Sequence, residues 1–120
     1  VYKRQLQHHY AVDYVSSATG RPVVLDFQVG KEQVERRLKA RIAVTGTDLY
    51  TAASLAGMGL VQIPRYRIEE AIAQDLLRIV LPANPPAPMP VSVLYPQHRQ
   101  LSARVRVFSQ WLAARFDGVI

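Results

Sequence analysis

Alternating apolar and polar residues near the start of the chain predict β-strands. Residues 23–29 are predicted to form a strand. From Leu25 to Val29, apolar and polar side chains alternate, which is the pattern of a strand with one buried face. Three further segments also favour strands: 10–15, 33–39 and 42–45. The segment 33–39 fits a helix as well, because Val34 and Leu38 would then share a face, but we favour the strand.

The middle of the chain predicts a helix between two strands. Thr47 or Asp48 is suited to cap the helix, since either side-chain oxygen accepts a hydrogen bond from a free backbone N–H. The predicted buried face consists of small and apolar residues: Leu49, Ala52, Ala53 and Ala56. Gly57 ends the helix, and 60–63 predicts a short buried strand that stops at Pro64. A strand–helix–strand order of this kind builds parallel sheets.

The second half of the chain predicts fewer elements. Residues 67–74 favour a helix and 76–81 favour a strand. Five prolines in 82–90 predict a stiff, extended connector, because proline fixes φ and lacks an N–H donor. Residues 91–95 then predict another strand.

The last predicted helix covers residues 102–116 and carries a long apolar stripe. Ser102 is a suitable cap, and Arg104 and Arg106 face away from the stripe. The stripe consists of Leu101, Val105, Phe108, Leu112 and Phe116.

Length and composition favour one small domain that buries a core. The chain has 120 residues, and 49% of them are hydrophobic. It has no cysteine, which excludes disulfides, Cys-ligated metals and a Cys nucleophile. No apolar run approaches the roughly 18 residues of a transmembrane helix. Because residues 1–5 belong to no periodic segment, we expect them to be extraneous or disordered, and we expect the chain to be a fragment of a longer protein.

The net charge of +6 raises the possibility of a nucleic-acid-binding surface, but its distribution favours solvated faces. Fifteen basic residues stand against nine acidic ones. Residues 31–41 hold five of the fifteen cations, but Glu32 and Glu35 lie among them, and the other cations are scattered.

No motif predicts catalysis or a metal centre. His8 and His9 are adjacent, so their side chains diverge, and no third ligand is near them in sequence. Glu69 and Glu70 lie near a predicted helix start, where the helix dipole explains them better than acid–base chemistry. The chain lacks a nucleophile elbow, a P-loop and a zinc-protease motif. We therefore expect a protein that is not an enzyme and holds no metal or cofactor.

One segment is chemically useful: Thr45, Gly46, Thr47 and Asp48 connect the end of a strand to the start of a helix. Ligands of open α/β sheets bind outside the carboxyl ends of strands, and a helix N-terminus favours an anion. The carboxylate of Asp48 partly opposes an anion there. A purely structural cap explains the segment equally well.

Several motifs together resemble the C-terminal part of a LysR-type transcriptional regulator. In order along the chain they are Thr45, Ala52-Ala53, Gly57-Met58-Gly59, Pro64, Leu81-Pro82, Tyr95-Pro96 and the run from Leu101 to Phe108. The resemblance covers about residues 6–116. Two positions depart from the family pattern: Thr45 replaces Asn or Ser, and Asp75 replaces a glycine, although Asp tolerates a left-handed backbone better than most residues do.

The resemblance implies a fold and a role. It implies a fragment of an α/β effector-binding domain of the periplasmic-binding-protein type (type II), with 6–90 as most of the second lobe and 91–120 returning to the first. A small, anionic effector would bind between the lobes, and DNA would bind through a helix-turn-helix outside this chain. The full regulator would be a cytoplasmic homo-oligomer that does not contact membranes.

On this interpretation, the part of the cleft that this chain contributes is the turn Thr45–Leu49. Pro64 and Arg65 would lie on the same rim if the strands are parallel, with Arg65 as a candidate cation. Two other functions stay open: a solute-binding protein of the same fold, and a small basic nucleic-acid-binding domain whose binding falls steeply with salt.

Overall fold

The computed structural model describes residues 2–95 and 102–117. The chain divides into two compact units, Val1–Pro88 and Met89–Ile120. The first unit mixes helices and strands, as the predicted α/β class requires. Val1, the segment 96–101 and residues 118–120, which include Pro96 and Leu101 of the family motifs, lie outside the described residues.

A parallel pair of strands organises the first unit. The strands β1 (Ala11–Tyr14) and β4 (Ala40–Val44) pair in parallel, with Tyr14 opposite Val44. On the other edge of β1, Leu60 forms a parallel bridge to Ala11, but residues 61–63 form no strand. The predicted parallel crossover is therefore confirmed, whereas the predicted strand 60–63 is reduced to one bridge.

A hairpin accounts for two further predicted strands. The strands β2 (Leu25–Val29) and β3 (Glu32–Arg36) pair in antiparallel register around a turn at Gly30, whose φ is 63°. Leu25 and Phe27 are buried while Gln28 is exposed, which matches the alternation in the sequence. The helical alternative for 33–39 is wrong.

The helix α2 (Thr47–Leu55) lies where the sequence places it, but it buries a different face. Its buried residues are Tyr50, Ala53 and Ser54, while Leu49 is 59% exposed. The face is rotated by one residue because burying the large Tyr50 ring removes more apolar surface than burying the alanine stripe. Gly57 follows the helix at φ 72°, the left-handed backbone that the sequence predicts.

The core covers both faces of β1. On one face, Ala11 packs in a cluster with Leu6, Leu25 and Phe27. On the other face, Val12 packs in a cluster with Val44, Tyr50 and Ala53. Since side chains alternate across a strand, β1 joins the hairpin side to the helix side of the unit.

The predicted helix 67–74 is shorter and begins with a tighter turn. A 3-10 turn (Arg65–Arg67) precedes the helix α3 (Glu69–Ala73). Asp75, which stands where the family usually has glycine, follows at φ 57°. The left-handed backbone is therefore kept, as expected of an Asp at this position.

Two predicted strands are absent. Residues 76–81 and 91–95 are not in strands, and Ile79, Val80 and Val91 are each more than half exposed. Apolar, β-branched runs predict burial against a neighbouring strand, and no segment in the described part of the chain pairs with either run. The prediction of a connector without a helix or strand at 82–90 is confirmed, apart from a turn at 82–84, and the N–H of Gln28 donates to the carbonyl of Pro85 at 2.9 Å.

The first residues form a short helix rather than an irregular segment. The helix α1 (Tyr2–Leu6) contradicts the expectation that residues 1–5 belong to no regular element. Five residues are too few for a helical period to show in the sequence. Leu6 is only 4% exposed, so the end of α1 is anchored in the core.

In the second unit, the described residues contain one helix. The helix α4 (Ala103–Phe116) is capped by Ser102, whose hydroxyl accepts a hydrogen bond from the N–H of Val105 at 3.4 Å. Both the helix and its cap are as predicted. Among the described residues of the apolar stripe, Val105, Phe108 and Phe116 are exposed, with Phe108 at 57%. None of the helices in the described residues has the length and apolar character needed to span a membrane.

Candidate functional site

The candidate site lies at the carboxyl end of the parallel strand pair. Because Tyr14 is opposite Val44, the chain leaves both strands at the same edge, at Ser16 and at Thr45. The N–H of Val15 donates to the carbonyl of Val44 at 2.8 Å, which holds the two exits together. The start of α2 follows immediately, so strand ends and a helix N-terminus meet here, as the sequence predicts.

The N-terminus of α2 has no side-chain cap, so the expectation that Thr47 or Asp48 caps it is wrong. The N-cap residue is Gly46 at φ 81° and ψ 146°, and it has no side chain to offer. The first intrahelical bond runs from the N–H of Tyr50 to the carbonyl of Gly46 at 3.2 Å. The N–H groups of the first turn are therefore left for solvent or a ligand.

The side chains of this turn are open to solvent. Thr45, Thr47 and Leu49 are exposed. The carbonyl of Thr47 accepts a hydrogen bond from the hydroxyl of Thr51 at 2.9 Å, which fixes the backbone of the first turn. Two exposed threonines and the uncapped N–H groups thus belong to the same turn.

Arg67 is the cation that contacts the turn. Its guanidinium lies 2.7 Å from the carboxylate of Asp48. Arg65, the cation expected from the sequence, lies 3.6 Å from Glu69 instead. The Asp48–Arg67 pair brings the 3-10 turn next to the N-terminus of α2. The positive charge of Arg67 also offsets the negative charge of Asp48, which would otherwise repel an anion at this turn. Sequence spacing gave no signal for this contact, because it joins residues from two elements.

Pro64 reaches this region along a path parallel to β1. Leu60 donates its N–H to the carbonyl of Tyr10 at 2.8 Å, and its carbonyl accepts the N–H of Val12 at 3.0 Å. The segment after Leu60 therefore runs in the direction of β1. Pro64 ends it next to the 3-10 turn and is exposed.

Tyr50 fixes the position of α2 through contacts with Tyr14 and Gln62. Its ring packs edge-to-face on Tyr14 with centroids 5.2 Å apart, and its hydroxyl accepts the N–H of Gln62 at 3.1 Å. Burial raises the pKa of the Tyr50 phenol above its usual value, and the nearby Asp13 adds to the rise. The phenol is therefore a neutral structural group that ties α2 to the segment leading to Pro64.

Gln62 continues this connection to the hairpin. Its side-chain amide exchanges two hydrogen bonds with the backbone of Asp26, at 3.1 and 2.6 Å. The carboxylate of Asp26 in turn accepts the N–H of Ala87 at 2.9 Å. A hydrogen-bonded path thus links α2, the hairpin and the proline-rich connector. The role of Gln62 is not predictable from the sequence, because a lone polar residue in an apolar run gives no signal of its partner.

The histidines form no metal cluster in the part of the chain that the structure describes. His8 and His9 are exposed, and no group of three His, Asp, Glu or Cys side chains suitable for a metal ion occurs among the described residues.

The comparisons with known proteins define the family. Residues 3–117 match the model of the LysR substrate binding domain, so the chain belongs to this family. The resemblance to LysR-type effector-binding domains is therefore confirmed, and this chain is effector-binding sequence of that type.

A curated relative is a transcriptional regulator by name. Over 72 residues the chain is 44% identical to a protein of Escherichia coli strain K12 named uncharacterized HTH-type transcriptional regulator YhjC. The matched segment covers 60% of this chain and 24% of the relative. The chain thus spans about a quarter of the relative's length.

Proposed function

We propose that this chain is the effector-sensing part of a longer, cytoplasmic LysR-type transcriptional regulator that is not an enzyme. The chain would contribute one lobe of a two-lobed effector domain, through residues 6–90, and part of the other, through 91–120. Closure of the lobes around a small molecule would alter DNA binding by a helix-turn-helix outside this chain. Membership of the family, together with the name of the relative, supports this role.

One observation carries the location of the effector site: the uncapped start of α2 lies at the carboxyl edge of the parallel strands. An anionic group placed there would accept N–H bonds from the first turn and would gain from the helix dipole. The hydroxyls of Thr45 and Thr47 would donate to the same group, and Gly46 would let it approach the backbone. Pro64 and Arg65 would form the neighbouring rim, together with Arg67.

The charge of the site favours a carboxylate or phosphate over a neutral effector. The carboxylate of Asp48 is already engaged by Arg67. An incoming anion would face open N–H groups and two arginines, and Leu49, which is 59% exposed, would contact its apolar part. We therefore propose that the effector is a small organic anion.

The test uses the longer regulator that contains this chain. A thermal-shift screen of small carboxylates and phosphates identifies an effector, and calorimetry then gives its affinity for each variant. Thr47→Val should weaken binding roughly ten- to a hundredfold, because a hydrogen bond to a charged group contributes about 1.5–3 kcal/mol. Arg65→Ala should also weaken binding, by less, because this arginine is shared with Glu69.

Gln28→Val is the control, since Gln28 is an exposed polar residue of the hairpin strand β2 and not of the loops that follow β1 and β4. It should bind the effector as the wild type does. Wild-type affinity in both Thr47→Val and Arg65→Ala would remove this turn from the site.

A further inference from the structure

A second candidate binding surface lies at the opposite end of the parallel strands, where β1 and β4 begin. The residues just before β1 and just before β4 meet there, and the N–H of Ala11 donates to the carbonyl of Lys39 at 2.9 Å. Between them is an open groove of about 280 Å³. It is lined by Leu6, Gln7, His9, Arg36, Arg37, Leu38 and Lys39. Since Thr45–Leu49 follows the carboxyl ends of the strands, the groove is separate from the candidate effector turn.

The floor of the groove is apolar. Leu6 is 4% exposed, and Leu38 is half-buried against the same core cluster. These side chains are held in place by Leu25 and Phe27 of the hairpin. An apolar group in the groove would therefore contact a preformed surface.

The rim of the groove is cationic and contains no carboxylate. Arg36 is half-buried, and its guanidinium donates to the carbonyl of Glu35 at 2.8 Å. The carboxylate of Glu35 lies on the other face of β3, because successive side chains of a strand alternate. Arg37 has only a long contact to Asp13, at 3.9 Å. Within 2–95 and 102–117, neither Arg36 nor Lys39 has a carboxylate within 4.0 Å.

We propose that this groove binds a small carboxylate with a compact apolar body. The carboxylate would pair with Arg36 and Lys39, and the apolar body would cover Leu6 and Leu38. A partly desolvated guanidinium without a counterion favours an anion more strongly than a fully solvated one does. The apolar floor distinguishes the groove from a phosphate-binding surface for nucleic acid, which needs cations alone.

Titration of the 120-residue chain with 2-naphthoate, followed by backbone amide NMR, tests the proposal. Saturable shifts are expected at Leu38, Lys39 and the residues that precede β1. The uncharged analogue 2-naphthamide should bind about tenfold more weakly or not at all, since it lacks the charge that the rim recognises. Equal binding of the two probes would overturn the proposal, as would shifts confined to Thr45–Leu49 or to α4.

Variants separate the groove from general electrostatic attraction. Lys39→Gln and Arg36→Gln should each raise the dissociation constant of 2-naphthoate several-fold, and the double variant should raise it about tenfold or more. Lys31→Gln removes the same charge from the exposed hairpin turn and should leave the dissociation constant unchanged. Lys39 is exposed, so its variant is expected to fold normally, which a matching amide spectrum would verify.

A final arm of the experiment tests the nucleic-acid alternative. If the double variant loses affinity for a short DNA duplex at low salt but keeps its affinity for 2-naphthoate, the groove is a nucleic-acid contact and the proposal fails. Because none of these measurements uses the effector turn, failure here leaves the proposed function standing, and failure of the Thr47→Val test leaves the groove standing.

Discussion

Tyr50 is the residue on which the packing of α2 depends. It fills the space between α2 and β1, contacts Tyr14, and accepts the backbone N–H of Gln62. The alanines of the same helix cannot replace these contacts because they carry only one methyl group. A single aromatic residue therefore decides which face of α2 is buried, and it also decides which face presents Thr47 to solvent.

Tyr50→Phe should lower the free energy of unfolding by about 1 kcal/mol near neutral pH. The variant keeps the ring packing but leaves the N–H of Gln62 without its acceptor. Urea denaturation of the wild type and the variant measures the difference. Tyr66→Phe is the control, because the side chain of Tyr66 is 67% exposed and should contribute little. Equal loss in both variants would contradict the role given to the Tyr50 hydroxyl.

The same substitution should change how stability depends on alkaline pH. The pKa of Tyr50 is raised in the folded chain above its ordinary value of 10.0, so the unfolded chain releases the proton first. The stabilisation is therefore fully present below pH 10.0 and is lost as the pH rises through the folded pKa. Tyr50→Phe should lose less stability than the wild type over that range, as melts at pH 9 and above would show.

At the scale of elements, the crossover from α2 back to β1 requires a close backbone approach at Gly59. A Cβ atom at this position would lie 2.6 Å from the carbonyl oxygen of Tyr10, which is backbone and cannot move aside easily. The neighbouring Gly57 has a left-handed backbone but open space around its Cα. The two glycines of the Gly-x-Gly motif thus serve different purposes, one for the helix end and one for the approach to β1.

Gly59→Ala should therefore destabilise the chain more than Gly57→Ala. Gly57→Ala should lower the free energy of unfolding by about 1–2 kcal/mol, because alanine disfavours the left-handed backbone. Gly59→Ala must also displace the Leu60–Ala11 bridge. Thermal melts followed by far-UV circular dichroism compare them. Equal losses would show that β1 shifts freely to accommodate the added methyl group.

Local patterns predict the elements whose partners lie nearby in sequence. The alternation in Leu25–Val29 and the cap at Ser102 are sufficient to place β2 and α4, because both signals act within a few residues. The run 76–81 has an equally strong apolar pattern but no strand, since a strand needs a hydrogen-bonded neighbour that its own sequence does not specify.

The candidate site is predictable to the same extent. Thr45–Leu49 is recognisable from the order of a strand and a helix. The Asp48–Arg67 contact and the Tyr50–Gln62 bond are not, because each depends on how separate elements pack.

At the scale of the whole chain, apolar surface is concentrated after residue 75. Three segments share this property: 76–81, 91–95 and α4. The proposed longer regulator offers a reason, because its first lobe would pair with the extended segments and cover the helix. In this chain by itself, these surfaces remain open to any other apolar partner.

The chain by itself should therefore self-associate through α4. Phe108 and Trp111 are 57% and 54% exposed, and their rings lie 5.8 Å apart on the helix surface. Burying this aromatic pair between two copies would remove apolar area from water, at about 25 cal/mol per Å². Sedimentation velocity should show dimers or larger species whose population rises with concentration.

Matched variants decide whether α4 is the contact. The double variant Phe108→Ser and Trp111→Ser should shift the sedimentation profile toward monomer, because it removes the aromatic pair without changing net charge. Tyr66→Ser removes an aromatic side chain of the first unit that is even more exposed, at 67%, and should leave association unchanged. A wild-type chain that sediments as a monomer and melts in one cooperative transition would contradict both the role of α4 and the expectation that further sequence covers it.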